Sequence, residues 1–226
     1  MRIGILQTGM APDALAPTSG EYPEMFVKLL DGHGFDFRTY AVVKGELPAS
    51  ATECDGWLIT GSRHGVYEDH PWIAPLEALI REAFAAHVPV VGICFGHQIV
   101  AQAMGGKVEK FAGGWAVGPT DYDFDGQTIT LNAWHQDQVV QAPKGAKVIG
   151  SNAFCANAAL LYEDRALTIQ AHPEYGPDFI NGLMDHRGKG VVPDPLMAQA
   201  KARLSDPLQD KTMAAQIAAF FKAPRA

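Results

Sequence analysis

The sequence predicts a three-layer α/β fold: a mostly parallel central sheet with flanking helices and an antiparallel extension. Two observations carry that prediction. Strand-length apolar stretches alternate with helical patterns through the first hundred residues, the signature of βαβ units and a parallel sheet. Beyond residue 115 the pattern turns to alternating segments joined by tight-turn dipeptides, the signature of hairpins. At 226 residues the chain can bury a core without disulfides or structural metals. It reads as one domain over residues 1–226, with a helical C-terminal extension from about residue 191.

The elements follow in order. "RIGILQ" (2–7) is the first strand. In "GEYPEMFVKLL" (20–30), Met25, Phe26, Leu29 and Leu30 share one helical face, Pro23 falls in the first turn, and Gly32 and Gly34 stop the helix. "FDFRTYAVV" (35–43) alternates as strand two and "GWLIT" (56–60) is a short buried strand three. "PLEALIREAFAAH" (75–87) is the helix that crosses to strand four, "VPVVGI" (88–93), so each crossover is expected to be helical. "GHQIVAQAM" (96–104) is helical and ends at Gly105-Gly106. "GWAVGPTDYDF" and "QTITLNAW" flank the turn signal Asp125-Gly126, and "LLYEDRALTIQAH" holds two more alternating segments around Glu163-Asp164. These later segments read as antiparallel strands. "GPDFINGLMDHR" is helical, "GKGVVPDPL" breaks it, and "MAAQIAAFFK" closes the chain.

Composition narrows the function. Hydrophobic residues make up 47% and charged residues 19%, with no apolar run long enough to span a bilayer, so no membrane partner is expected. The start of the chain has no charged leader and cleavage pattern, and the three cysteines are odd in number and widely spaced. A cytoplasmic protein without a disulfide framework follows. A net charge of −7 argues against a non-specific grip on nucleic acid.

The chemistry concentrates at "GICFGHQ" (92–98), where a thiol sits between two glycines as a strand turns into a helix. Small neighbours let the backbone take a strained turn that lifts the side chain from the sheet edge, and the helix N-terminus favours the thiolate. A free cysteine is more often a small buried hydrophobe, but this context makes Cys94 a nucleophile. Its base is sought in "QAHPEYG": His172 follows a strand and Glu174 lies two residues on. None of the seven other histidines is expected to combine strand-end placement with a carboxylate two residues on. His135 and Asp137 in "WHQDQV" point to one face of a strand, but two ligands without a third fall short of a zinc site. No metal or cofactor is expected. Arg63 and His64 could read a substrate carboxylate, although basic loop residues are usually solvated.

"GICFGHQ" together with "HPE" resembles the signature of class I glutamine amidotransferases, whose Cys-His-Glu triad hydrolyses the side-chain amide of glutamine. The resemblance spans most of the first 175 residues. "GWAVG" and "HQDQV" are most similar to the stand-alone branch that includes γ-glutamyl peptidases and GMP-synthase-like amidotransferases. The resemblance implies that Cys94 is the nucleophile, His172 the general base and later acid, and Glu174 the orienting group. Phe95 N–H is implied as one oxyanion donor. The other falls to Ser62, with Gly61 as alternate, because Gly61-Ser62-Arg63 stands where many members have Gly-Gly-Pro. Gln98 matches the glutamine-contacting Gln, and His135, Gln136 and Asp137 fall on a wall of the substrate pocket.

The leading expectation is an amidohydrolase or amidotransferase acting on glutamine or γ-glutamyl compounds through a glutamyl thioester. The alternative is a glutaminase subunit that delivers ammonia to a separate synthase chain as partner. A third reading, a catalytically silent binding protein, sits poorly with an intact Cys-His-Glu set.

Overall fold

The computed structural model describes residues 1–225. In chain order run β1 (Arg2–Leu6), α1 (Ala16–Ser19), α2 (Tyr22–Leu29), β2 (Asp36–Tyr40), β3 (Gly56–Ile59), α3 (Ile73–Ala85), β4 (Val90–Ile93), α4 (Phe95–Ala103), β5 (Lys107–Lys110), β6 (Ala116–Phe124), β7 (Gln127–His135), β8 (Asp137–Gln141), β9 (Lys147–Gly150), β10 (Ala159–Tyr162), β11 (Ala166–Ile169), α5 (Pro177–Leu183), α6 (Asp194–Ala202) and α7 (Asp210–Lys222). A seven-stranded sheet has the order β2-β1-β3-β4-β11-β10-β9. Its first five strands are parallel, and β10 runs antiparallel to both neighbours. Two small antiparallel pairs, β5–β8 and β6–β7, complete the extension.

The central strands β3, β4 and β11 are buried along their whole length, which is why β3 and β4 read as short apolar runs. Each sheet face then needs a cover. On one face α3 and α4 place Leu76, Ile80, Phe95 and Ile99 against Trp57 and Ile59. On the other, α2 and α7 bring Phe26, Ile217 and Phe221 against Ile3 and Leu58. Met213, Ile217 and Phe221 recur every four residues along α7 and are all buried, contributing roughly 1.5–3 kcal/mol each. The β6–β7 hairpin joins the same face through Tyr122, Ile129 and Leu131. Among the described residues no helix is long and apolar enough to cross a membrane.

Four sequence expectations change. Strand two stops at Tyr40, and the passage from β2 to β3 uses a 3₁₀ turn at Val42–Lys44 instead of a helix. Its β-branched pair Val42-Val43 mimics strand composition, but Gly45 takes a left-handed φ of 86° and ends the turn. β11 is parallel to β4, and in the seven-stranded sheet only β10 is reversed. The segment "HQDQV" is not one strand: the chain bends at Gln136, so His135 ends β7 and Asp137 begins β8. The stretch read as a C-terminal break contains the first turn of α6, with Pro195 in that turn, where its missing N–H costs nothing.

The consequence for chemistry lies at one sheet edge. β3, β4 and β11 are adjacent and parallel, with Ile59 opposite Gly92 and Ile93 opposite Ile169. Their carboxyl ends therefore deliver Gly61 and Ser62, then Cys94, then Gln170 to His172, to the same place, the edge where open α/β sheets hold their sites.

Candidate active site

Cys94 has φ 53° and ψ −99°, a conformation a non-glycine residue holds only when its surroundings over-determine it. Here they do. Its N–H donates to the Ile169 carbonyl at 2.8 Å, and its own carbonyl accepts from Gln98 N–H at 3.0 Å. The flanking glycines permit the turn by contact: a Cβ on Gly92 would lie 2.4 Å from the Gly96 carbonyl oxygen, and one on Gly96 2.3 Å from that of Ile59. The strand, the elbow and α4 close on one another at backbone distance.

His172 is positioned from three sides. Its N–H donates to the Asn132 carbonyl at 2.8 Å, and Asn132 in turn donates through Nδ2 to the Tyr175 carbonyl at 2.8 Å. Its Nδ1 lies 2.7 Å from Glu174 Oε1, with both side chains nearly inaccessible at 3% and 1%. That contact leaves Nε2 for the hydrogen bond between the imidazole and the Cys94 side chain. Burial disfavours the charged ring, but the Glu174 carboxylate and the Cys94 sulfur outweigh it and raise the His172 pKa to about 10. The Tyr175 ring stacks on the imidazole, and a Cβ on Gly61 would come within 2.9 Å of its Cε1. Sequence reasoning missed Tyr175, although it stands next to Glu174.

These groups open onto a cleft of about 470 Å³ lined by Cys94, His172, Ser62, Gln98, His135, Gln136 and Asp137 among others. Gln98 is buried, and its amide donates to the Asp137 carbonyl at 2.9 Å and to Gln170 Oε1 at 3.1 Å. Gln98 thus spends its donors inside the protein, and only its carbonyl oxygen is left for a ligand. Gln170, not foreseen from sequence, donates through Nε2 towards Cys94 Sγ at 3.6 Å. Gln136 Nε2 sits 3.5 Å from the Phe111 carbonyl. Phe95 opens α4, so its N–H has no intrahelical acceptor. Gly61 lies beside both His172 and Cys94, its added Cβ 3.8 Å from Cys94 Cβ.

His135 corrects the sequence argument, because it too ends a strand with a carboxylate two residues on. What separates it from His172 is where that carboxylate goes. Asp137 accepts from Tyr67 Oη at 2.9 Å, and the His135 ring faces the Asp137 backbone carbonyl through Nδ1 at 3.2 Å. A carbonyl only accepts, so Nδ1 carries the proton and Nε2 offers a lone pair. Among the described residues that Nε2 is buried without a partner, and burial, with the nearby His172 charge, pushes the ring down to about 3 and keeps it neutral. Tyr22, Trp115, Trp134, Lys110 and Arg187 also line the cleft. They come from separate elements along the chain and carry no local sequence signal of that proximity.

A family model described as glutamine amidotransferase class-I matches residues 36–179. γ-Glutamyl peptidase 4 of Arabidopsis thaliana is 33% identical over 186 residues, 74% of this chain and 73% of that protein. The glutamine-hydrolysing GMP synthase of Azoarcus sp. is 37% identical over 137 residues, 53% of this chain but only 25% of the synthase. The crystal structure of a glutamine amido transferase from Methylobacillus flagellatus superposes with a TM-score of 0.77 at 24% identity, covering 97% of this chain and 93% of that one.

Proposed function

Because this chain belongs to the class-I glutamine amidotransferase family, we propose that it cleaves the γ-glutamyl amide bond of glutamine or γ-glutamyl compounds, with Cys94 as nucleophile, His172 as proton carrier and Glu174 as its orienting carboxylate. One observation carries the reading: the imidazole is held between the Cys94 side chain and the Glu174 carboxylate at the end of two adjacent parallel strands.

The steps follow from that geometry. Cys94 Sγ attacks the γ-carbonyl carbon while His172 Nε2 holds the thiol proton. The oxyanion meets the Phe95 N–H and a second N–H from Ser62 or Gly61, each such donor supplying roughly 3–4 kcal/mol. As the C–N bond breaks, His172 gives its proton to the leaving amine, and a glutamyl thioester remains on Cys94. Water then attacks the thioester, His172 takes one of its protons, and the C–S bond breaks to release glutamate and return the proton to sulfur. Glu174 stays charged throughout and steadies the imidazolium. The unpartnered His135 Nε2 suits the substrate's α-ammonium as an acceptor.

The Azoarcus similarity supports a second reading, a glutaminase chain serving a separate synthase. Purified chain, incubated alone with glutamine and with a panel of γ-glutamyl dipeptides, should release ammonia or amine, and Cys94→Ser should not. Release from dipeptides by the isolated chain favours the first reading. Silence towards every substrate removes it.

A further inference from the structure

We infer that His64, Glu68 and His70 form a binding site for one divalent transition ion of the zinc class, on the wall of the cleft and separate from the Cys94–His172 pair. Their donor atoms all lie within 4.8 Å of one another. His64 Nδ1 and His70 Nε2 both approach Glu68 Oε2, at 3.3 and 2.8 Å. Around a tetrahedral zinc with bonds of 2.0–2.1 Å, neighbouring donor atoms sit about 3.3 Å apart. The 3.3 Å spacing therefore matches a loaded site, and the 2.8 Å spacing has to open by only about half an ångström.

The donors are also held in place. His70 stacks on Trp72 with ring centroids 5.5 Å apart and planes 9° from parallel, and Trp72 is buried against Phe95. The edge of His64 meets the His70 ring at 4.2 Å, and His64 N–H donates to Ser62 Oγ at 3.1 Å. The Glu68 carboxylate accepts the Gly65 N–H, and Glu68 N–H donates to the Gly65 carbonyl at 3.1 Å. Seven residues of one loop thus present three ligands with little left to order, and the side chains keep 19%, 44% and 29% exposure, so an ion has access.

Two imidazoles with one carboxylate suit zinc, cobalt or nickel better than magnesium or calcium, which take oxygen ligands. In the ion-free chain the two short contacts serve as hydrogen bonds. On binding, each neutral ring keeps its one proton on the nitrogen that does not face the metal, so the proton shared with Glu68 passes through solvent to the other ring nitrogen, and any second ring proton is released to water. Three protein donors leave a tetrahedral ion one open position. Since His64 and Glu68 line the same cleft as Cys94, that position lies within reach of a cleft ligand. No residue of the proposed catalytic set is involved, so the inference stands or falls apart from the amidohydrolase reading.

The test uses the full chain carrying Cys94→Ser, which removes the thiol as a rival ligand, titrated with Zn²⁺ alone against a chromogenic chelator and separately with Mg²⁺. One equivalent of Zn²⁺ should bind, at least about tenfold more weakly once His70→Ala or Glu68→Ala is added, with circular dichroism confirming that each variant is folded. Co²⁺ should give visible d–d bands without a thiolate charge-transfer band. Zinc uptake that is lost in Cys94→Ser, that ignores both loop variants, or that Mg²⁺ matches overturns the site.

Discussion

Tyr175 lies flat on the His172 imidazole, ring centroids 4.0 Å apart and planes 6° from parallel. The tyrosine is itself buried, hydrogen-bonded to Tyr22, which in turn bonds Arg187 at the cleft. A flat ring fixes the plane of the imidazole, and that plane decides whether one nitrogen can face Glu174 while the other faces Cys94.

Tyr175→Leu should therefore lower kcat about tenfold, since a stacked pair contributes roughly 0.5–1.5 kcal/mol. Tyr175→Phe keeps the stack and loses only the hydroxyl, so its kcat should stay within about threefold of the parent. Equal losses in the two variants, measured on the best γ-glutamyl substrate, would assign the effect to the hydroxyl instead.

The pH profile follows from Glu174. The folded His172 pKa of about 10 lies above the ordinary 6.5, so the protonated ring persists below about 10 and is lost as pH rises through it. The alkaline limb of kcat/KM should fall far above pH 6.5. Glu174→Gln removes the carboxylate that lifts the pKa, and the limb should move to lower pH by at least about one unit. An unmoved limb would show that Glu174 does not govern the imidazole.

His97 makes the fold acid-sensitive. Its ring is fully buried, with Nδ1 2.8 Å from Thr168 Oγ1, and burial pushes its pKa from 6.5 down to about 3. Between those values the unfolded chain binds a proton that the folded chain does not, so this stability is complete above pH 6.5 and is lost as pH falls towards about 3. The loss at pH 5 amounts to about 2 kcal/mol. Urea unfolding of His97→Asn should weaken less between pH 7 and pH 5 than that of the parent, whatever its absolute stability. Parallel trends would contradict the assignment.

The elbow glycines differ in kind from the others. Gly96→Ala drives a methyl to 2.3 Å from the Ile59 carbonyl oxygen, backbone that cannot step aside, and should cost about 3 kcal/mol or more. Gly105 has a φ of 89° with nothing within 4 Å of its added Cβ, so Gly105→Ala meets only backbone strain of about 1–2 kcal/mol. Thermal unfolding of both variants decides it, and a Gly96→Ala chain as stable as Gly105→Ala would mean that the elbow is looser than it stands.

Local chemistry was legible wherever the information lies within a few residues. The Cys94 elbow needs only its glycines and the change from strand to helix periodicity, and His172 meets Glu174 two residues on. Short or half-exposed segments were not legible. β5 (Lys107–Lys110) is mostly exposed and gains its strand geometry by pairing with β8. Pro193 just before α6 and Pro195 in its first turn read as break signals, yet the helix forms and its Ala200 fits the space left by Gly118.

The sequence by itself determined the α/β class, the strand-to-helix elbow at Cys94 and the His-x-Glu pair, because period, turn chemistry and neighbouring side chains act along the chain. Only the tertiary structure decided that β11 lies parallel beside β4, which sets His172 against Cys94 across 78 residues. It alone decided that Asp137 turns to Tyr67 and leaves His135 neutral, that Tyr175 covers His172, and that His70 leans on Trp72 to meet His64 and Glu68. The reason is physical: strand order and ring packing come from burying both faces of the sheet at once, a condition on the whole chain that no local window contains.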